Sequence, residues 1–143
     1  MIAVTIALAY YARVAIVEAK KDRRKDSIEK QLEKLYNPLF EILERGEVHP
    51  ELGGMYRKVL NSDIDQILSI LLNYGHYLGS TERDRMKKAL DMRECTLGDK
   101  HVLLRDDWDP TGSLHKLEVS YSQCLSYITE KREQLTAELK GLT

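Results

Sequence analysis

Glycine and proline are scarce in this chain of 143 residues, at 8 and 3, and phenylalanine and tryptophan occur once each. Tight turns draw on glycine and proline for their special backbone angles, so a fold stitched from many short strands is disfavoured. Cysteine occurs twice, as Cys95 and Cys124. Two thiols are too few for a disulfide scaffold, and they cannot complete a structural zinc site without histidine. Net charge is small, at −1, and the mildly acidic body over residues 26–143 gives no general reason to expect nucleic-acid binding, which needs a basic face able to displace phosphate counterions. There is no phosphate-cradling Gly-rich loop, no His-Glu-x-x-His helix and no Cys-x-x-Cys pair.

What is present is a folded-chain balance of 43% hydrophobic and 31% charged residues, enough for one domain and not for a large multidomain enzyme. The charge is unevenly spread. Residues 1–25 carry six basic groups against two acids, while residues 26–143 carry 16 against 21. The basic cluster Lys20, Lys21, Arg23, Arg24 and Lys25 directly follows the most apolar stretch, residues 2–17 (IAVTIALAYYARVAIV). A helix drawn through that stretch has no polar face, so it is not a surface amphipathic helix.

A bilayer core takes about 20 residues, and the run is somewhat shorter. Its basic flank is the one expected on the cytoplasmic side of a span. Tyr10 and Tyr11 suit the membrane interface, and Arg13 can extend toward headgroups. A secretory signal peptide would begin with a charged region that is missing here. A helix buried in a protein core is the remaining alternative, although Arg13 would then be a costly buried charge. The expectation is a membrane anchor over residues 1–25 and a helical domain over 26–143, with a single pass and the body in the cytoplasm.

From Ser27 onward the pattern is amphipathic. Ile28, Leu32, Leu35, Leu39 and Ile42 form a heptad seam widened by Tyr36, Phe40 and Leu43. Pro38 should kink this helix or start a new one, and Gly46 ends it. A short helix is expected near Met55–Leu60. A stronger one, capped by Asn61 or Ser62, would bury Ile64, Ile67, Leu68, Leu71, Leu72 and Leu78. The next opens at Ser80 or Thr81, with Met86, Ala89, Leu90 and Cys95 on one face. Ser113 should start a last helix reaching about Lys140, with Leu114, Leu117, Tyr121, Leu125, Ile128, Leu135 and Leu139 buried. Residues 96–112 are long for a connection and read as a candidate functional loop. The expected fold is all-α, a four- or five-helix bundle with long N- and C-terminal helices, preceded by the apolar helix.

Chemistry-bearing groups are sparse. Asp106, Asp107 and Asp109, flanking Trp108, could hold a hard cation together with one or two of His76, His101 and His115, giving a small metal-dependent enzyme or sensor as the rival reading. The cluster lacks the register of a calcium loop, and a solvated turn pinned by Trp108 accounts for it more simply. His115 and Glu118 share a helical face but no second copy of the motif exists to complete a bundle metal site. Cys95 and Cys124 fall on apolar stripes, where thiols are inert. Tyr74, His76 and Tyr77, with Trp108, form a candidate partner surface of rings and imidazole. No cofactor and no catalytic residue is assigned.

The run Ile28-Glu29-Lys30-Gln31-Leu32-Glu33-Lys34-Leu35-Tyr36-Asn37-Pro38-Leu39, followed by Asn73-Tyr74-Gly75-His76-Tyr77-Leu78, resembles a loose set of uncharacterised prokaryotic proteins. These pair one N-terminal membrane segment with a small helical body bearing a Glu-Lys-Leu-Tyr-x-Pro-Leu signature. The resemblance implies a membrane-tethered cytoplasmic helical domain and brings no catalytic residues with it. The functional expectation is therefore a membrane-anchored interaction module without catalytic activity. It would contact lipids through its N-terminal segment and an unknown protein partner through its body. The heptad seam makes a homodimer a further option.

Overall fold

The computed structural model describes residues 2–49, 56–91, 93–97, 100–106 and 120–143, with 93–97 described for the backbone alone. A single helical rod runs from Ile2 to Glu44. It comprises α1 (Ile2–Gln31), a π-helical turn (Leu32–Tyr36) and α2 (Asn37–Glu44). The strands β1 (Glu47–Val48) and β2 (Tyr56–Leu60) follow, then α3 (Asn61–Tyr74), a 3₁₀ turn (Gly75–Tyr77) and α4 (Ser80–Asp91). The hairpin β3 (Arg93–Leu97) and β4 (His101–Arg105) leads to the last helix, α5 (Tyr121–Leu142).

Pro38 does not break the rod. Proline lacks an N–H and its ring presses on the carbonyl four residues back, which a regular α-helix cannot absorb. The turn before it is widened instead, and Asn37 N–H donates to the Leu32 carbonyl, five residues back. The π-turn takes up the misfit that was expected to appear as a kink.

The heptad seam is buried as its spacing demands. Ile28, Leu32, Leu35, Leu39 and Ile42 all lie in the core, with Tyr36 and Leu43 beside them and Phe40 half-buried. Their partners are Ile64, Ile67 and Leu71 of α3, Met86, Ala89 and Leu90 of α4, and Tyr121, Ile128 and Leu135 of α5. The seam is thus covered within one chain, and burying it takes no second copy. Leu72 departs from the expected pattern: it is 78% exposed, because it lies one position round the helix from Leu71, on the side it shares with the exposed Asp65 and Ser69.

The fold is mainly helical, with long first and last helices packed together, but it is not all-α. Four strands form an antiparallel sheet in the order β1-β2-β4-β3. Val59 pairs with Val102, and Arg57 with Leu104. The short helix expected at 55–60 is strand β2, and part of the expected 96–112 loop is the β3–β4 hairpin. Val102, Leu103 and Leu104 of β4 are consecutive and all buried, which identifies a strand covered on both faces. The last helix also starts later than its apolar pattern suggests. Ser120 is extended and closes a capping box with Gln123, so the helix begins at Tyr121 and not at Ser113. Leu114 and Leu117 lie outside the described residues.

Gly46, which ends the rod, is buried against Tyr121. A Cβ there would come within 2.8 Å of the Tyr121 hydroxyl, which itself donates to the Leu43 carbonyl at 2.7 Å. Gly46→Val should therefore lower stability by about 1–3 kcal/mol, as overpacking does at a pinned site. Urea unfolding of the full chain in detergent checks it.

Candidate functional site

Residues 2–20 are exposed on every side of the rod. Ile2, Val4, Ile6, Leu8, Tyr10, Tyr11, Val14, Ile16 and Val17 all present their side chains outward. A contiguous apolar surface of this extent is not stable against water and marks a membrane or protein contact. Among the described residues this is the one helix long and apolar enough to cross a membrane. Residues 2–19 reach about 27 Å at ~1.5 Å each, close to the ~30 Å of a hydrocarbon core. Arg13 is exposed on this rod, and the Tyr10 and Tyr11 rings meet edge to face at 6.0 Å.

The basic residues mark where the rod enters the body. Lys20, Arg23 and Arg24 are exposed, Lys21 and Lys25 are half-buried, and Ile28 is the first residue fully in the core. Here α5 meets α1. Arg24 donates to both carboxylate oxygens of Glu138, at 2.6 and 2.8 Å. The paired hydrogen bonds hold the Glu138 carboxyl below its ordinary range and raise the Arg24 guanidinium. This contribution is present above the ordinary carboxylate value and fades as pH falls through the lowered one. Both side chains are exposed, so solvent and salt screen it.

Below this bridge lies a polar groove of about 310 Å³. Arg24 and Gln31 of α1 form one wall and Tyr36 of the π-turn its floor; Tyr77 comes from the 3₁₀ turn. The far wall is Tyr127, Lys131, Gln134 and Glu138, a 4-3-4 step along one face of α5. Tyr36 is 3% exposed, and burial beside Tyr127 pushes its hydroxyl up to about 12, so it stays a neutral donor. Lys131 leans over the Tyr127 ring at 5.9 Å, and no carboxylate among the described residues pairs with it.

Three residues of the expected partner surface are described. Tyr77 turns into the groove, Tyr74 packs half-buried against the core, and His76 stays exposed with its ring 4.2 Å from that of Tyr77. Trp108 lies outside the described residues. So do Asp107, Asp109 and His115 of the metal reading. Asp106 is described and already engaged: it accepts from Arg57 Nε at 2.7 Å and from Ser122 Oγ at 2.6 Å. His101 lies in β4, paired in register with Leu60 and Leu97. Among the described residues no group of three or more His, Cys, Asp or Glu could hold a metal. Cys124 is buried, and burial pushes its thiol up to about 12, far from a nucleophile's range. The Cys95 side chain lies outside the described residues.

Tyr36, Tyr127, Lys131 and Gln134 were not singled out by the sequence. The polar 4-3-4 step on α5 was a readable signal. Tyr36 was not, because its place in the groove depends on the π-turn. Comparison with family models, curated proteins and solved structures gives no match to this chain.

Proposed function

We propose that this chain is a single-pass, membrane-anchored helical interaction module whose body sits on the cytoplasmic side and recognises a partner without catalysing a reaction. The observation that carries the reading is the exposure of apolar residues 2–17 on a helix that continues into the body's own core. An apolar rod fused rigidly to a folded domain has its solvent chosen for it: lipid hides every face at once, as an amphipathic contact would not. The flank Lys20, Lys21, Arg23, Arg24 and Lys25 supports the cytoplasmic placement of the body, through the preference of basic residues for that side. Arg13 lies about two turns inside the flank, within reach of the interface for a long side chain.

The test is partitioning. The full chain should stay with membranes through high-salt and alkaline washes, and a variant lacking residues 2–19 should move to the soluble fraction. Release of the full chain by salt alone would overturn the reading. Sidedness is checked with Thr143→Cys in a Cys95→Ser, Cys124→Ala background, which should react with an impermeant thiol reagent added to intact cells only after the membrane is permeabilised.

A further inference from the structure

We propose that the groove between α1, the π-turn and α5 is a binding site for a phosphate-bearing group, either a lipid headgroup or a small soluble phosphate ester. The π-turn is the first reason. Arg24 and Gln31 are seven residues apart, two turns on one helical face, and a regular helix would next bring residue 35 to that face. The extra residue of the widened turn brings Tyr36 there instead. π-Turns of this kind recur at functional sites because they re-aim a side chain at a cost in helix regularity.

The second reason is the lining. Tyr36 buries its ring and lines the groove, and among the described residues no hydrogen bond engages its hydroxyl, which opens on the groove and is free to donate. Tyr77 and Tyr127 add two further hydroxyls, Gln31 and Gln134 add amides, and Lys131 adds a cation that no carboxylate among the described residues pairs with. The single carboxylate, Glu138, is already occupied on both oxygens by Arg24. The lining is therefore rich in donors arranged on three sides, and its spare charge is positive.

That set suits a tetrahedral oxyanion, whose oxygens take donors from several directions, better than a planar carboxylate. The volume, about 310 Å³, stands at the lower end of small-molecule sites, so the occupant is the size of a headgroup. Arg24, at the near end of the groove, is five residues past Ala19, about 7.5 Å along the helix, and Tyr36, at its far end, is 17 residues past Ala19, about 25 Å, so a headgroup enters from the Arg24 end. The headgroup source rests on the membrane reading above; the soluble source does not.

The experiment uses the full chain. In micelles of an uncharged detergent it is titrated with glycerol 3-phosphate and followed by amide NMR. In nanodiscs, phosphatidylglycerol is compared with phosphatidylcholine. One of the two phosphate probes should bind saturably, and Tyr36→Phe and Lys131→Gln should each weaken that binding about tenfold, the loss of one hydrogen bond to a charged group. Lys30→Gln, on the exposed face of α1, should leave it unchanged. Binding of glycerol 3-phosphate assigns a soluble ester, and binding seen only with phosphatidylglycerol assigns a lipid. No binding of either probe, or binding equally tight in Tyr36→Phe and Lys131→Gln, overturns the proposal. Attraction of anionic lipid to the Lys20–Lys25 flank alone would fall with salt and ignore both substitutions. A chain that proves soluble on partitioning would still be expected to bind glycerol 3-phosphate.

Discussion

Asp106→Ala should destabilise the folded chain by about 3–5 kcal/mol, the cost of stranding one partner of a buried ion pair. Asp106 directly follows β4, and its carboxylate ties three elements together. It accepts from Arg57 of β2 at 2.7 Å and from Ser122 of α5 at 2.6 Å, and the two charged side chains are only 10% and 17% exposed. Arg57 in turn donates to the Gly46 carbonyl at 2.9 Å and lies 5.4 Å from the Tyr121 ring centre. Without Asp106 the guanidinium keeps one backbone carbonyl and the face of a ring, too little for a nearly buried cation. For a chain of this size the loss corresponds to a fall in Tm of about 10 °C or more. Thermal unfolding in detergent, followed by circular dichroism, measures it. Arg57→Ala combined with Asp106→Ala should cost less than the two single changes added together, since the double variant strands no charge.

Ile28→Ala should cost about 2–5 kcal/mol, in the range of buried large-to-small substitutions. Ile28 is fully buried and stands where the exposed rod becomes part of the body. The α1 side chains that precede it along the rod are exposed or only half-buried, so no neighbour toward the N-terminus can move in to fill the space. The damage should be local as well as global. Amides of α5 from Leu135 to Leu142 should lose hydrogen-exchange protection, while those of β4 keep more of theirs. Equal loss of protection across the body would show that α1 and α5 do not pair as an end unit.

The two helices that frame the body were readable because their apolar residues repeat at helical spacing over several turns, from Ile28 to Ile42 and from Tyr121 to Leu139. The sheet was not. Strand β2 reads Tyr-Arg-Lys-Val-Leu, and its charged pair hides any alternation. Arg57 is there for the Asp106 contact and Lys58 is only half-buried. Strand β4 is a short apolar run, for which periodicity cannot separate strand from helix. The later start of α5 turns on Ser120 rather than Ser113, and both residues are good caps. What decides between them is the reciprocal Gln123 bond at the third helical position. Pro38 was read as a kink or the start of a new helix, whereas the rod continues and absorbs it in the π-turn that precedes it. The candidate groove was hidden for the same reason, since Tyr36 reaches it only through that displaced turn.

The bridge between Arg24 and Glu138 joins residues 114 positions apart, and this separation sets the order in which the molecule can be made. Synthesis proceeds from the N-terminus at about 5–20 residues per second, so Arg24 waits roughly 6–23 s for its partner to be added. Throughout that interval the inner face of α1 and α2 lacks the helix that covers it. The apolar rod, by contrast, is complete before the first residue of the body's seam exists. On the membrane reading proposed above, insertion into lipid would have a clear lead over folding of the body, and the nascent seam from Ile28 to Ile42 would be held beside a membrane until α5 arrives to close it.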